Sequence, residues 1–141
     1  MTTIREVERV LERKYAVCEE LFKAGAMEQA VQQLYTQDVC YLTGDLKLLR
    51  GRTQLVAFFE AIHAQIGEVH VEPVLTYGDP DTVVYQFCNT TRHMASSGQI
   101  ARAHYVAAFR CVGDDWLMEM EVPALGAIAT PAKWCAFGTG E

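Results

Sequence analysis

TVVYQFCNTTRHMASSGQIARAHYVAAFRCVGDDWLMEMEV, residues 82–122, is the stretch that decides the fold class. Two polar clusters divide it, Ala95-Ser96-Ser97-Gly98 and Val112-Gly113-Asp114-Asp115. Both have the composition of tight turns. Between them lie runs rich in β-branched and aromatic residues: Thr82–His93, Gln99–Cys111 and Trp116–Val122. Such runs read as strands. In the last of them Trp116, Met118, Met120 and Val122 alternate with Leu117, Glu119 and Glu121, the period of a strand with one buried face. The stretch therefore predicts an antiparallel meander.

Tight turns also predict cross-strand neighbours. Symmetry about the Ser96–Ser97 bond pairs Val84 with Phe109, Gln86 with Ala107, Cys88 with Tyr105 and Thr90 with Ala103. Symmetry about Gly113–Asp114 pairs Phe109 with Met118, Ala107 with Met120 and Tyr105 with Val122. Alternation then places Tyr85, Phe87, Asn89, His104, Val106, Ala108 and Arg110 on the opposite face. On this register the first face carries neither a carboxylate nor a histidine. A slip of one residue would exchange the faces.

Upstream of the meander the period changes. Ile4, Val7, Leu11, Cys18, Leu21 and Phe22 form one stripe of a helix that Gly25 closes, since glycine tolerates the left-handed conformation of a helix end. A second helix carries Met27, Ala30, Val31, Leu34 and Tyr35 inward. An extended piece covers Val39–Thr43, and Gly44-Asp45 reads as a turn. A third helix follows Gly51, with Leu55, Phe58, Phe59, Ile62 and Ile66 at helical spacing, and ends at Gly67. A strand from Val69 to Tyr77 precedes Gly78-Asp79-Pro80. Helices followed by a meander make an α+β domain rather than a βαβ arrangement.

Composition narrows the function classes. The chain has 141 residues, half of them hydrophobic, enough for one domain with a real core. The net charge of −6, with Arg50-Gly51-Arg52 as the single local basic cluster, argues against nucleic acid as a partner. No stretch approaches the ~20 apolar residues of a membrane span, and the N-terminus lacks a signal-peptide pattern. A soluble, cytoplasmic protein is expected. Cys18, Cys40, Cys88, Cys111 and Cys135 form no CxxC pair, and neither HxH nor HExxH occurs, so no metal site and no cofactor is expected. The domain is expected over residues 1–123, with residues 124–141 as a tail whose Leu125, Ile128, Trp134 and Phe137 call for burial.

Two segments carry a family resemblance. Phe22 through Val39, FKAGAMEQAVQQLYTQDV, is similar to the helix, glycine, helix, LYxxDV pattern of the nuclear-transport-factor-2-like superfamily, in its SnoaL-like and ketosteroid-isomerase-like branch. Leu49 through Phe59, LRGRTQLVAFF, is similar to that family's entry to its third helix. The resemblance implies a cone-shaped, cystatin-like fold, with three N-terminal helices packed on a curved antiparallel sheet and a pocket between them. It also implies dimers packed sheet against sheet. At the places where the isomerases carry a tyrosine and two aspartates, this chain has Cys18, Thr43 and Ala107. Those side chains cannot together move a proton and hold an enolate. Ketosteroid isomerisation is not expected.

The expected pocket lies between the first helix and the concave sheet face. Its lining is Cys18, Tyr41, Val84, Gln86, Cys88, Tyr105, Phe109, Trp116, Met118 and Met120. Gln86 and Tyr105 are its expected polar anchors, because a buried amide and a buried phenol both need partners. The expected ligand is a small hydrophobic molecule with few polar groups. Binding alone is one reading; isomerase, cyclase, dehydratase or hydrolase chemistry on a polyketide- or steroid-like substrate is another, and a non-catalytic dimerisation module a third. A homodimer through the outer face is expected from Tyr85, Phe87, Val106 and Ala108, which no helix covers.

Overall fold

The first helix, α1 (Ile4–Lys23), starts where Thr3 and Glu6 close a reciprocal cap, the Glu6 amide donating to Thr3 Oγ1 and the Thr3 amide to Glu6 Oε2, each at 3.2 Å. Its buried stripe is Val7, Leu11, Tyr15, Cys18 and Phe22. These observations come from a computed structural model that describes residues 2–128. Gly25, at φ 78°, turns the chain into α2 (Met27–Leu34). Tyr35, expected at the end of this helix, instead begins β1 (Tyr35–Leu42), and its carbonyl accepts from Arg52 Nε at 3.0 Å and Nη2 at 2.7 Å.

After the Gly44-Asp45 turn, β2 (Leu48–Arg50) pairs back onto β1, and α3 (Gly51–His63) follows. The third helix was expected to run to Gly67. It stops sooner because Ile66 pairs with Met94 and opens β3 (Ile66–Gly78). An apolar residue at a helix–strand boundary satisfies both periods, so spacing alone could not assign it. The remaining strands are β4 (Val83–Met94), β5 (Ile100–Val112) and β6 (Asp115–Leu125).

The strands form one six-stranded sheet in the order β2-β1-β6-β5-β4-β3. Every neighbouring pair is antiparallel except β1 and β6, which run parallel, so the sheet is mixed. Pro73, which has no N–H to offer a ladder, lies in the edge strand β3. The β4–β5 register is the expected one, with Val84 opposite Phe109, Gln86 opposite Ala107 and Cys88 opposite Tyr105. The principal core packs Val7, Leu11, Tyr15 and Cys18 of α1 against Val84, Ala107, Phe109, Trp116 and Met118 of the sheet.

The β5–β6 register departs from expectation halfway along. Phe109 pairs with Met118 as foreseen, but Ala108 then pairs with Met120, so Glu119 is an extra residue on β6. This is a β-bulge, and it reverses the face of everything beyond it. Ala107 is opposite Glu121, not Met120, and Tyr105 is opposite Pro123, not Val122. Arg110 Nη1 meets the carboxylate of the extra residue, Glu119, at 3.3 Å. Beyond β6, the Gly126 carbonyl meets His104 Nδ1 at 2.9 Å and the Ile128 amide donates to Asn89 Oδ1 at 2.8 Å. Both partners belong to the outer-facing set, so residues 126–128 cross one end of that face. Leu125, expected to be buried, instead ends β6 opposite Ala103 and is 87% exposed, while Trp134 and Phe137 of the expected packed tail lie outside the described residues.

Candidate functional site

The bulge puts Glu121 on the concave face. It stands in a row across the sheet with Gln86, Ala107 and Tyr41, through the pairings Gln86–Ala107, Ala107–Glu121 and Glu121–Tyr41. Glu121 is only 6% exposed. Tyr35 Oη donates to its Oε1 at 3.3 Å, and the neighbouring Tyr41 hydroxyl also favours the charged form. Burial outweighs both, together with the lowering charge of Arg92, and pushes the carboxyl up to about 7, against an ordinary 4.5. The concave face therefore holds a carboxylate, contrary to the sequence expectation, and the inserted Glu119 is the reason.

A cavity of about 410 Å³ opens beside this group, within the ordinary size of a small-molecule site. Helix α1 contributes Tyr15, Cys18 and Phe22; α3 contributes Phe58, Phe59 and Ile62. From the sheet come Tyr35, Tyr41, Val69, Val71, Thr90, Arg92, Tyr105, Met118, Glu121 and Pro123. The wall is mainly apolar and aromatic. Phe59 lies close to both Tyr35 and Tyr41, with ring centroids 6.0 and 5.8 Å away. The aromatic cluster thus excludes water from the tyrosines that touch Glu121.

Beyond Glu121 lies a second polar group. Tyr105 Oη donates to Tyr15 Oη at 2.7 Å, and Tyr15 Oη donates to Gln86 Oε1 at 2.7 Å. Gln86 Nε2 in turn reaches Thr76 Oγ1 at 3.1 Å. Burial holds the Tyr15, Tyr35, Tyr41 and Tyr105 hydroxyls well above their ordinary pKa, so all four remain protonated donors. It also pushes the Cys18 and Cys88 thiols up to about 11, which rules out a resting thiolate nucleophile.

Of the residues expected to line the pocket, Cys18, Tyr41, Tyr105 and Met118 do so. Val84, Gln86, Cys88, Phe109 and Trp116 are buried in the core but stand behind the cavity wall. Gln86, expected to anchor a ligand, spends its amide on Tyr15 and Thr76. Met120 lies past the bulge and pairs with Ala108 and Cys40 on the outward-facing set. Tyr15, Tyr35, Arg92 and Glu121 line the cavity as well, outside the expected set. For Tyr15 the signal was present: it falls four residues after Leu11 and three before Cys18, in the same stripe. None of the histidines lines the cavity. Among the described residues no three His, Cys, Asp or Glu side chains gather as metal ligands would.

Residues 16–117 match the model of the SnoaL-like domain, well over half of the chain. The chain belongs to the SnoaL-like family. This SnoaL-like chain resembles several solved structures. One is an NTF2-like protein with a cystatin-like fold from Novosphingobium aromaticivorans, with 16% identity over 90% of this chain and 86% of that one, at a TM-score of 0.68. A ketosteroid isomerase-like protein from Erwinia carotovora atroseptica is 13% identical over 85% and 96% of the two chains, at a TM-score of 0.65. A candidate dehydratase of the NTF2-like family from Streptomyces avermitilis is 12% identical over 89% and 100%, at a TM-score of 0.68. At these identities the likeness is one of fold. No curated protein matches the chain in sequence. No helix among the described residues is long and apolar enough to cross a membrane.

Proposed function

We propose that the protein binds a small, mostly apolar molecule in this cavity and moves a proton on it with Glu121, in a reaction of the isomerase or dehydratase type. The observation that carries the reading is the buried Glu121 carboxyl, pushed up to about 7 and lining the cavity. A general base works best when its pKa lies near the operating pH, because it is then partly ionised yet still basic enough to take a proton. Perturbed carboxyls in apolar clefts gather at functional sites for that reason. Tyr35 and Tyr41 hold the carboxylate in place once it forms. The apolar wall suits a hydrophobic substrate and keeps water away from the proton being moved.

Ketosteroid isomerisation is not part of the proposal. The Cys18 thiol turns to the Ala30 carbonyl at 3.8 Å, the Thr43 hydroxyl is bonded to Asp45 and to the Lys47 amide, and Ala107 carries no donor. A ligand-binding domain without catalysis is the alternative reading, favoured by the absence of any histidine from the cavity wall. The partner proposed for the outer sheet face is a second copy of this chain. Tyr77, Tyr85 and Phe87 cluster there, with centroids 5.4 and 6.2 Å from Tyr77, and Tyr77 and Tyr85 are 47% and 39% exposed.

Exchange of the α-protons of 2-tetralone and 1-indanone in D2O, followed by proton NMR, tests the catalytic reading. The protein should accelerate exchange, and Glu121→Gln should slow it by about a hundredfold or more, the usual weight of a general base. Exchange that is unaffected by Glu121→Gln defeats the assignment. Binding of both ketones without any acceleration leaves the binding-domain reading in its place.

A further inference from the structure

Two polar side chains of the cavity wall, both on β4, make no hydrogen bond or ion pair among the described residues. Thr90 is 6% exposed, lines the cavity, and its Oγ1 has no hydrogen-bond partner among the described residues. A buried hydroxyl without a partner is rare in a folded protein and points to a group that arrives from outside. Arg92, two residues on, lies on the same face of the strand and also lines the cavity. None of the ion pairs among the described residues includes Arg92, although its charge is felt by Glu121. The remaining charged residues of the wall are Glu19 and Glu121, and Glu19 is already bonded to His70 at 2.8 Å and to the Val71 amide at 2.7 Å.

The neighbouring strands offer these two side chains no polar partner. Thr90 is paired with Ala103 on β5 and Val71 on β3, and Arg92 with Ala101 and Val69, so every cross-strand neighbour is apolar. Ala101 is exposed and lines the cavity, which puts the half-buried Arg92 toward the cavity's open end, while Thr90 is buried in the wall.

We infer that the cavity's ligand is a small apolar carboxylic acid, its carboxylate held by Arg92 and Thr90 and its hydrophobic body lying among the aromatic rings. The inference rests on the cavity being the ligand site proposed above. A guanidinium offers a planar pair of N–H donors that matches the two oxygens of a carboxylate, and Thr90 adds a third donor from deeper in the wall. A phosphate ester fits less well, because its greater charge and larger number of oxygens would meet a single cation here. The arrangement also orients the ligand: the anion is fixed on β4 and the hydrocarbon is directed toward β6 and Glu121.

The test compares acids with matched neutral amides. Affinities of 4-phenylbutyrate, octanoate and 2-naphthoate, each against its amide, are measured by calorimetry on the full chain. The acids should bind at least about tenfold more tightly than their amides, as expected for a charge-assisted pair. Arg92→Gln should abolish that preference while leaving thermal unfolding nearly unchanged, and Thr90→Val should reduce it. Glu121→Gln removes an anion that feels the Arg92 charge and should keep or raise the preference, so a failure of the proton-transfer reading does not overturn this result. Equal affinity for acid and amide, a preference that survives Arg92→Gln, or no binding by any of the acids overturns the inference.

Discussion

Glu121 sets the pH dependence of stability. Its carboxyl titrates near 4.5 when unfolded and near 7 in the native state, chiefly because burial disfavours the charge. Between those values the native protein holds a proton that the unfolded chain has released. Native stability therefore falls as pH rises through this window, by about 3 kcal/mol in all. Glu121→Gln should remove the slope, so the variant should exceed the wild type above pH 7 and nearly match it below 4.5. Thermal unfolding from acid to mildly alkaline pH measures this, and parallel curves for the two proteins would refute it. Gln86, 1% exposed, acts differently. Gln86→Leu takes the acceptor from the Tyr15 hydroxyl and the donor from the Thr76 hydroxyl in the core and should cost about 1–3 kcal/mol of folding stability. Denaturant unfolding checks it; an unchanged midpoint would mean that the amide is not holding the tyrosine pair.

Among the elements, β6 determines the character of the site. Up to Met118 it follows the alternation legible in its sequence, and the inserted Glu119 then turns the rest of the strand over. Met118 is fully buried against the core while Met120 is half-buried on the outward set, although they occupy equivalent places in the sequence pattern. Met118→Ala should cost about 2–5 kcal/mol, and Met120→Ala about 1 kcal/mol or less. Equal losses by chemical denaturation would place the bulge elsewhere. No local signal marks this insertion. The run Trp116 to Val122 alternates without interruption, and neither glycine nor proline falls at Glu119. The bulge is favoured by what surrounds β6: the parallel partner β1, which brings Tyr41 opposite Glu121, and Arg110, which meets Glu119.

For the whole molecule, the helices cover one face of the sheet and leave most of the other to solvent or to a second copy. The proposed dimer should bury on the order of 1,200 Å² in total through the Tyr77, Tyr85 and Phe87 cluster. Light scattering at micromolar concentration should give twice the mass of one chain, and Tyr85→Lys with Phe87→Lys should return it to one. A wild-type monomer would exclude the interface. The sequence by itself determined the class of fold. Its apolar residues recur at helical spacing up to Phe59 and at strand spacing after Val69, and the glycine-bearing turns at Gly25, Gly98 and Gly113 separate the elements. It also determined the β4–β5 register, because a short turn fixes the pairing on either side of it. Only the tertiary structure decided which residues face the cavity. Facing depends on pairing partners distant in sequence, and one inserted residue on β6 exchanged Met120 for Glu121 on the inner surface. The same holds for the carboxyl's pKa. A glutamate in an alternating strand is ordinarily solvated, and here helices and aromatic rings from elsewhere in the chain remove the water that would have kept it an ordinary acid.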